Sequence, residues 1–409
     1  MTETTDVAII GAGPSGAIAA ALLRQQGLKV VVLEQATFPR FSIGESLLPQ
    51  CMEFIHEAGM GEAVDQAGFQ YKNGAAFVRS GNYTAFDFRD KFSSGPGTTF
   101  QVQRARFDHV LANEAAASGA DVRYGHRLEA FHYEDGQPVL SYRDDRNEPH
   151  QLRAGFVLDA SGFGRVLPRL LDLELPSDFP VRRAVFTHIA DNISDPKHDR
   201  DKILIVIHPD LDDVWYWLIP FSDGRCSVGV VARQDYYTDE GAEDQLLSVL
   251  QSALAESPDL SALLNNAVFD TQVRQIGGYA CKVKSLWGPG FALLGNAGEF
   301  LDPVFSSGVT IAMKSASLAT PLVARQLRGE HIDWEQEYAE PLRLGVETFR
   351  TYVSGWYDGS FQKVIFAANH QPQVRAMIAS ILAGYAWDTA NPFVRDSRRR
   401  LATLAELCR

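Results

Sequence analysis

Apolar residues recur along this chain with two different spacings, and the places where the spacing changes divide it into regions. Residues 5–10 form a short apolar run rich in β-branched side chains, which predicts a buried strand. The turn Gly11-Ala12-Gly13-Pro14-Ser15-Gly16 follows, and then a helical stretch over 17–26. A second apolar run, 29–33, ends on Glu34. Residues 107–118 read as a helix and 120–124 as a strand, and turn-rich breaks at 135–137 and 144–147 mark an antiparallel excursion. A further strand, 156–158, runs into the glycine turn 159–162. From 182 to 233 apolar runs alternate with turns at 191–201, 209–213 and 222–225, the spacing of a meandering sheet. Residues 291–295 return to the buried-strand pattern, and beyond Gly308 helix formers dominate as far as Leu407. The expected class is α/β, with a discontinuous dinucleotide-binding domain over 1–180 plus 281–330. A sheet region, 60–100 plus 181–280, is inserted into it, and a helical C-terminal region spans 331–409.

The first turn carries chemistry. In a strand-turn-helix of this kind Gly11 permits the tight turn, Gly13 lets the backbone approach a pyrophosphate, and Gly16 allows the helix to pack closely on the strand. Pro14 and Ser15 open the helix, whose N-terminus favours phosphate. Glu34, at the end of the second strand, is placed to accept hydrogen bonds from a ribose, so a dinucleotide with an unmodified adenosine ribose is the expected ligand.

The 409-residue length calls for two or three packed regions. A formal net charge of −13 argues against nucleic-acid binding, because no excess of cations is available to neutralise phosphates. Arg398, Arg399 and Arg400 then read as a solvated helix face. Cys51, Cys226, Cys281 and Cys408 lie far apart with no metal-ligand spacing, so a reduced, cytoplasmic protein without a metal is expected. The first apolar stretch carries acids and Gly/Pro rather than a basic leader, and no uncharged run is long enough to span a bilayer.

Two further segments stand out. Trp215-Tyr216-Trp217-Leu218-Ile219-Pro220, on a strand, places both tryptophans on one face and Tyr216 on the other. In Phe69-Gln70-Tyr71-Lys72-Asn73-Gly74, Lys72 read alone is an ordinary solvated lysine.

With the run 44–49 (Gly-Glu-Ser-Leu-Leu-Pro) and Asp302-Pro303-Val304-Phe305-Ser306-Ser307-Gly308, these segments resemble the flavin-dependent halogenases, within the wider class of FAD-dependent monooxygenases. The resemblance covers most of residues 1–330. It implies an FAD-binding dinucleotide fold of the aromatic-hydroxylase type, with the glycine turn and Glu34 holding the ADP half of FAD. Arg40 and the strap 42–49, with Ile43, Gly44 and Ser46, would run along the flavin, and Arg104 would contact the cofactor. The family's Gly-Asp pair reads Gly295-Asn296 here, and an Asn brings no charge to the ribityl chain, which implies weaker or exchangeable FAD. Asp302, Pro303 and Gly308 would lie at the flavin edge, and Ser306, Ser307 and Gly308 at a halide site on a helix N-terminus. Trp215 and Trp217 would keep the organic substrate from the flavin, and Lys72 would direct hypohalous acid onto it.

The resemblance thus implies FADH2 delivered by a separate flavin reductase, chloride or bromide as co-substrate, and an electron-rich aromatic acceptor, free or carrier-protein-bound. Phe305 stands where tryptophan-type halogenases have Glu, which points to phenol- or pyrrole-type acceptors. Two other readings fit the same motifs. One is a monooxygenase or double-bond reductase on this scaffold, and the other is a catalytically silent flavin-binding protein of a biosynthetic complex.

Overall fold

The computed structural model describes residues 3–237, 242–368 and 371–408. Two sheets form its frame. The first is eight-stranded and runs Trp287–Gly288, Phe291–Leu293, Pro149–Asp159, Glu3–Ile10, Val30–Glu34 and Asp121–Tyr124, with the antiparallel pair Arg127–Glu134 and Gln137–Arg143 appended. Strand Glu3–Ile10 lies parallel to two neighbours, Val7 opposite both Val30 and Phe156. Its last four residues are buried on both faces, as parallel strands covered by helices are.

Helix Pro14–Gln25 covers one side of this sheet, with ten of its twelve residues buried. Its close packing depends on two glycines. Gly11 takes φ +96°, and a Cβ on Gly16 would stand 2.0 Å from the Gly11 carbonyl oxygen. Helix Ser307–Leu327 packs beside it, which brings the N-termini of two helices to the same edge of the sheet.

The second sheet has seven strands in the order Arg274–Gly277, Arg182–Ala190, Arg225–Arg233, Trp215–Pro220, Lys202–Ile207, Gly74–Arg79 and Asn82–Asp87. The predicted meander supplies four adjacent strands of it, and Gly74–Arg79 joins in parallel with Lys202–Ile207. One face of this sheet packs on the C-terminal helices, where Trp215 and Trp217 share a core with Trp356 and Phe361. The opposite face, carrying Tyr216 and Leu218, packs on Leu246–Ala255. The C-terminal helices include Glu340–Tyr357, Ser360–Phe366, Pro372–Leu382 and Ser397–Leu407. Arg398, Arg399 and Arg400 are exposed on the last of these, as expected of a solvated face. Among the described residues no helix is long and apolar enough to cross a membrane.

Candidate functional site

One cavity of about 310 Å³ runs from the first glycine turn, between the two sheets, to the tryptophan pair. At one end Gly11, Gly13, Pro14, Ser15 and Glu34 form its wall. The Glu34 carboxylate accepts the Ala12 N–H at 2.9 Å and the Ala36 N–H at 2.8 Å, which fixes it at the strand end beside the glycine turn. Arg40, Ile43, Gly44, Ser46 and Arg104 line the middle, and Asn296, Pro303, Ser306 and Gly308 the far edge. Of the sequence-predicted residues, Gly16, Lys72, Asp302 and Ser307 are outside the wall.

The donor set fits FAD. Asn296 lines the cavity and its buried Oδ1 has no hydrogen-bond partner, the state of an acceptor waiting for a ligand hydroxyl. The helix beginning at Pro14 and the helix beginning at Ser307 both offer unpaired N–H groups at this edge, one for a pyrophosphate and one for an anion. Ser306 stands in the left-handed region, φ +56°, immediately before the second helix.

The two arginines of the strap region are held by one carboxylate. Asp108 takes a bidentate pair from Arg104 (2.7 and 3.0 Å) and a third bond from Arg40 at 2.8 Å. Arg104 also donates to the carbonyl of Ile43, so it anchors the strap itself. Asp108 is a site residue beyond those the sequence predicts, and its signal is local: it lies one turn from Arg104 on helix Arg104–Ala117, the spacing of a helical ion pair. Glu45, also in the wall, is almost fully buried and pairs with His188 at 2.7 Å.

Trp215 and Trp217 share a face of their strand and close the cavity, ring centroids 6.0 Å apart. Trp217 lies flat over the neighbouring strand because Gly229 faces it: a Cβ there would stand 2.4 Å from the indole. Its Nε1 donates to Ser227 Oγ at 3.0 Å. The Trp215 Nε1 donates instead to the hydroxyl of Tyr357, at 3.0 Å, on the last residue of a C-terminal helix. Neither Gly229 nor Tyr357 carries a local sequence signal.

Lys72 is not a surface lysine. It is fully buried on the short strand Gln70–Lys72, and its Nζ donates to Ser46 Oγ and to the Leu47 carbonyl, each at 2.7 Å. The Phe88 ring lies 5.5 Å away, and no carboxylate of a described residue forms an ion pair with it. Burial among neutral partners disfavours the ammonium and lowers its pKa to about 7. The lysine meets the cavity through Ser46, which belongs both to the wall and to the Lys72 hydrogen bonds.

The FAD binding domain family matches residues 4–331. A flavoprotein/dehydrogenase of Cytophaga hutchinsonii is 43% identical, with a TM-score of 0.94 and 99% of both chains covered. A tryptophan 2-halogenase of Chondromyces crocatus is 30% identical over 340 residues, 81% of this chain and 63% of its own, so the chain spans a little under two thirds of that relative. A 1H-pyrrole-2-carbonyl-(peptidyl-carrier protein) chlorinase of Pseudomonas fluorescens is 27% identical over 431 residues, 98% of this chain and 94% of its own. The chain belongs to the FAD binding domain family, and its sequence and fold are shared with flavin-dependent halogenases.

Proposed function

We propose that the protein is a flavin-dependent halogenase that uses oxygen and chloride or bromide to halogenate an electron-rich aromatic ring. The observation that carries the reading is Lys72, a fully buried amine with neutral partners and a pKa near 7. Such a group is costly to the fold and finds its explanation in chemistry.

FAD, reduced before it meets oxygen, would supply activation of O2 in the cavity, so that halide is oxidised to hypohalous acid and the second oxygen atom leaves as water. Glu34 and the glycine turn hold the adenosine end, and Arg104 and Arg40, fixed by Asp108, hold the strap. The N–H groups around Ser306, Ser307 and Gly308 hold the halide at the positive end of helix Ser307–Leu327. Trp215 and Trp217 keep water and the organic acceptor off the cavity's inner end. Lys72 acts beyond Ser46. As an ammonium it hydrogen-bonds hypohalous acid and polarises it, so that ring and HOX give halogenated ring and water. As an amine it first forms a haloamine and water, then passes the halogen to the ring and regains its proton. With a pKa near 7 both forms are populated at neutral pH.

Phe305 where tryptophan-type enzymes carry Glu favours a phenol or pyrrole acceptor. The relative acting on a carrier-bound pyrrole makes a tethered acceptor the first to try. One dinucleotide turn serves the chain, so reduction is assigned to a separate flavin reductase.

Mass spectrometry of phenols, pyrroles and indoles, free and carrier-bound, incubated with the protein, FAD, a flavin reductase, NADH and bromide tests this. Incorporated bromine is expected, and Lys72→Ala should lower it by at least ~100-fold while FAD binding persists. Added oxygen instead would point to a monooxygenase, and no product at all to a silent flavin-binding protein. Wild-type halogenation by Lys72→Ala removes the lysine from the mechanism.

A further inference from the structure

The two tryptophans of the wall are fastened in different ways. A buried indole N–H requires an acceptor. Trp217 finds one on the adjacent strand, in Ser227, so its partner belongs to the same sheet. Trp215, 1% exposed, finds its acceptor 142 residues away, in the Tyr357 hydroxyl. That hydroxyl has one proton and gives it to Asp302 Oδ2 at 2.9 Å. The chain of bonds therefore has a single direction, from indole to phenol to carboxylate. Asp302, 2% exposed, takes the Val304 N–H on its other oxygen at 3.0 Å, two residues before Ser306 and the helix start. The Arg182 guanidinium lies 3.3 Å from the centre of the Tyr357 ring and stacks the phenol in place.

We propose that Tyr357 is a positioning residue for the tryptophan wall, fastening Trp215 to Asp302 so that the wall and the 302–308 segment hold one arrangement. Loss of the phenol oxygen leaves the buried Trp215 N–H without its acceptor and takes one hydrogen bond from Asp302 Oδ2, and rotation of Trp215 or entry of water relieves both. Either outcome opens the inner end of the cavity that the wall closes. The consequence for turnover rests on the halogenase reading, whereas the placement of Trp215 does not.

The test uses the FAD-loaded protein labelled with 5-fluorotryptophan. Trp215→Phe and Trp217→Phe identify the two resonances among the six tryptophans. Tyr357→Phe should shift and broaden the Trp215 fluorine signal, with a smaller effect on Trp217. In the wild-type protein the Trp215 indole N–H should exchange with solvent at least tenfold more slowly than an exposed indole, a measurement independent of whether the variant folds. With a flavin reductase and bromide, Tyr357→Phe should lower halogenated product per NADH consumed severalfold while FAD affinity stays within about twofold. In a Trp215→Phe background the same change should add nothing. An unmoved Trp215 signal, or an indole N–H exchanging freely in the wild type, overturns the proposal. A displaced signal in a protein that halogenates no acceptor upholds the positioning role and counts against the halogenase reading instead.

Discussion

Replacing Lys72 by Met keeps an unbranched side chain as far as Cε and removes the titrating amine, which makes stability a direct reading of the amine's charge. Above about pH 10.5 the lysine is neutral in both folded and unfolded chains and its charge contributes nothing to stability. As pH falls the unfolded chain binds a proton first, while the folded protein keeps the amine neutral down to about pH 7. The unfolded state therefore holds the extra proton throughout this window, and stability falls with falling pH until the folded amine is protonated too. An interval of about 3.5 pH units at ~1.36 kcal/mol each amounts to about 5 kcal/mol, and the portion between pH 7 and pH 9.5 to about 3 kcal/mol. Urea unfolding of the FAD-free wild-type and Lys72→Met proteins at those two pH values measures it. The difference between the two proteins cancels groups that do not feel Lys72; the Cys51 thiol, whose pKa burial raises and the Lys72 charge lowers, is removed from the comparison by making both proteins in a Cys51→Ser background. The two lost hydrogen bonds shift the variant equally at both pH values. Wild type should gain about 3 kcal/mol on the variant from pH 7 to 9.5. A constant difference would mean that the folded lysine is an ammonium across the range, and the haloamine route would fall with it.

Three further outcomes are expected. Gly229→Ala places a methyl against the Trp217 ring, and should cost about 1–3 kcal/mol in thermal or urea unfolding and perturb tryptophan fluorescence; unchanged stability would refute the packing argument. Glu34→Ala should weaken FAD by roughly 1–3 kcal/mol in calorimetric titration, with FMN binding much more weakly than FAD in the wild type; equal affinity for the two flavins would dismiss the ADP site. Asp302, whose pKa burial raises to about 6, favours the protonated form in the fold, so its stabilisation is full below pH 4 and lost as pH rises through about 6. Asp302→Asn should remove a decline of about 3 kcal/mol over that range, and an identical pH profile in the two proteins would refute it.

What the sequence determined by itself is what depends on short spacing. The strand, glycine turn, helix and Glu34 follow from apolar period and glycine placement within the first thirty-four residues, and the structure has them adjacent around Gly11. The common face of Trp215 and Trp217 follows from the two-residue period of a strand. The Arg104–Asp108 ion pair sits at the local spacing of one helical turn, but only the structure shows that Asp108 also holds Arg40.

What tertiary structure alone decided depends on contacts between distant segments. Lys72 taken alone reads as solvated, and only the family resemblance gives it a site role; it is sealed because the strap delivers Ser46 and Leu47 over it. Trp215 is tied to a residue 142 positions later, and Asp302 to one 55 positions later, through the docking of helix Glu340–Tyr357 against the sheet. Gly229 matters only because the register sets it opposite Trp217. Local period fixes which side of a strand or helix a residue takes, but sheet register and helix docking, set by burial summed over the whole core, fix which side chain it meets there.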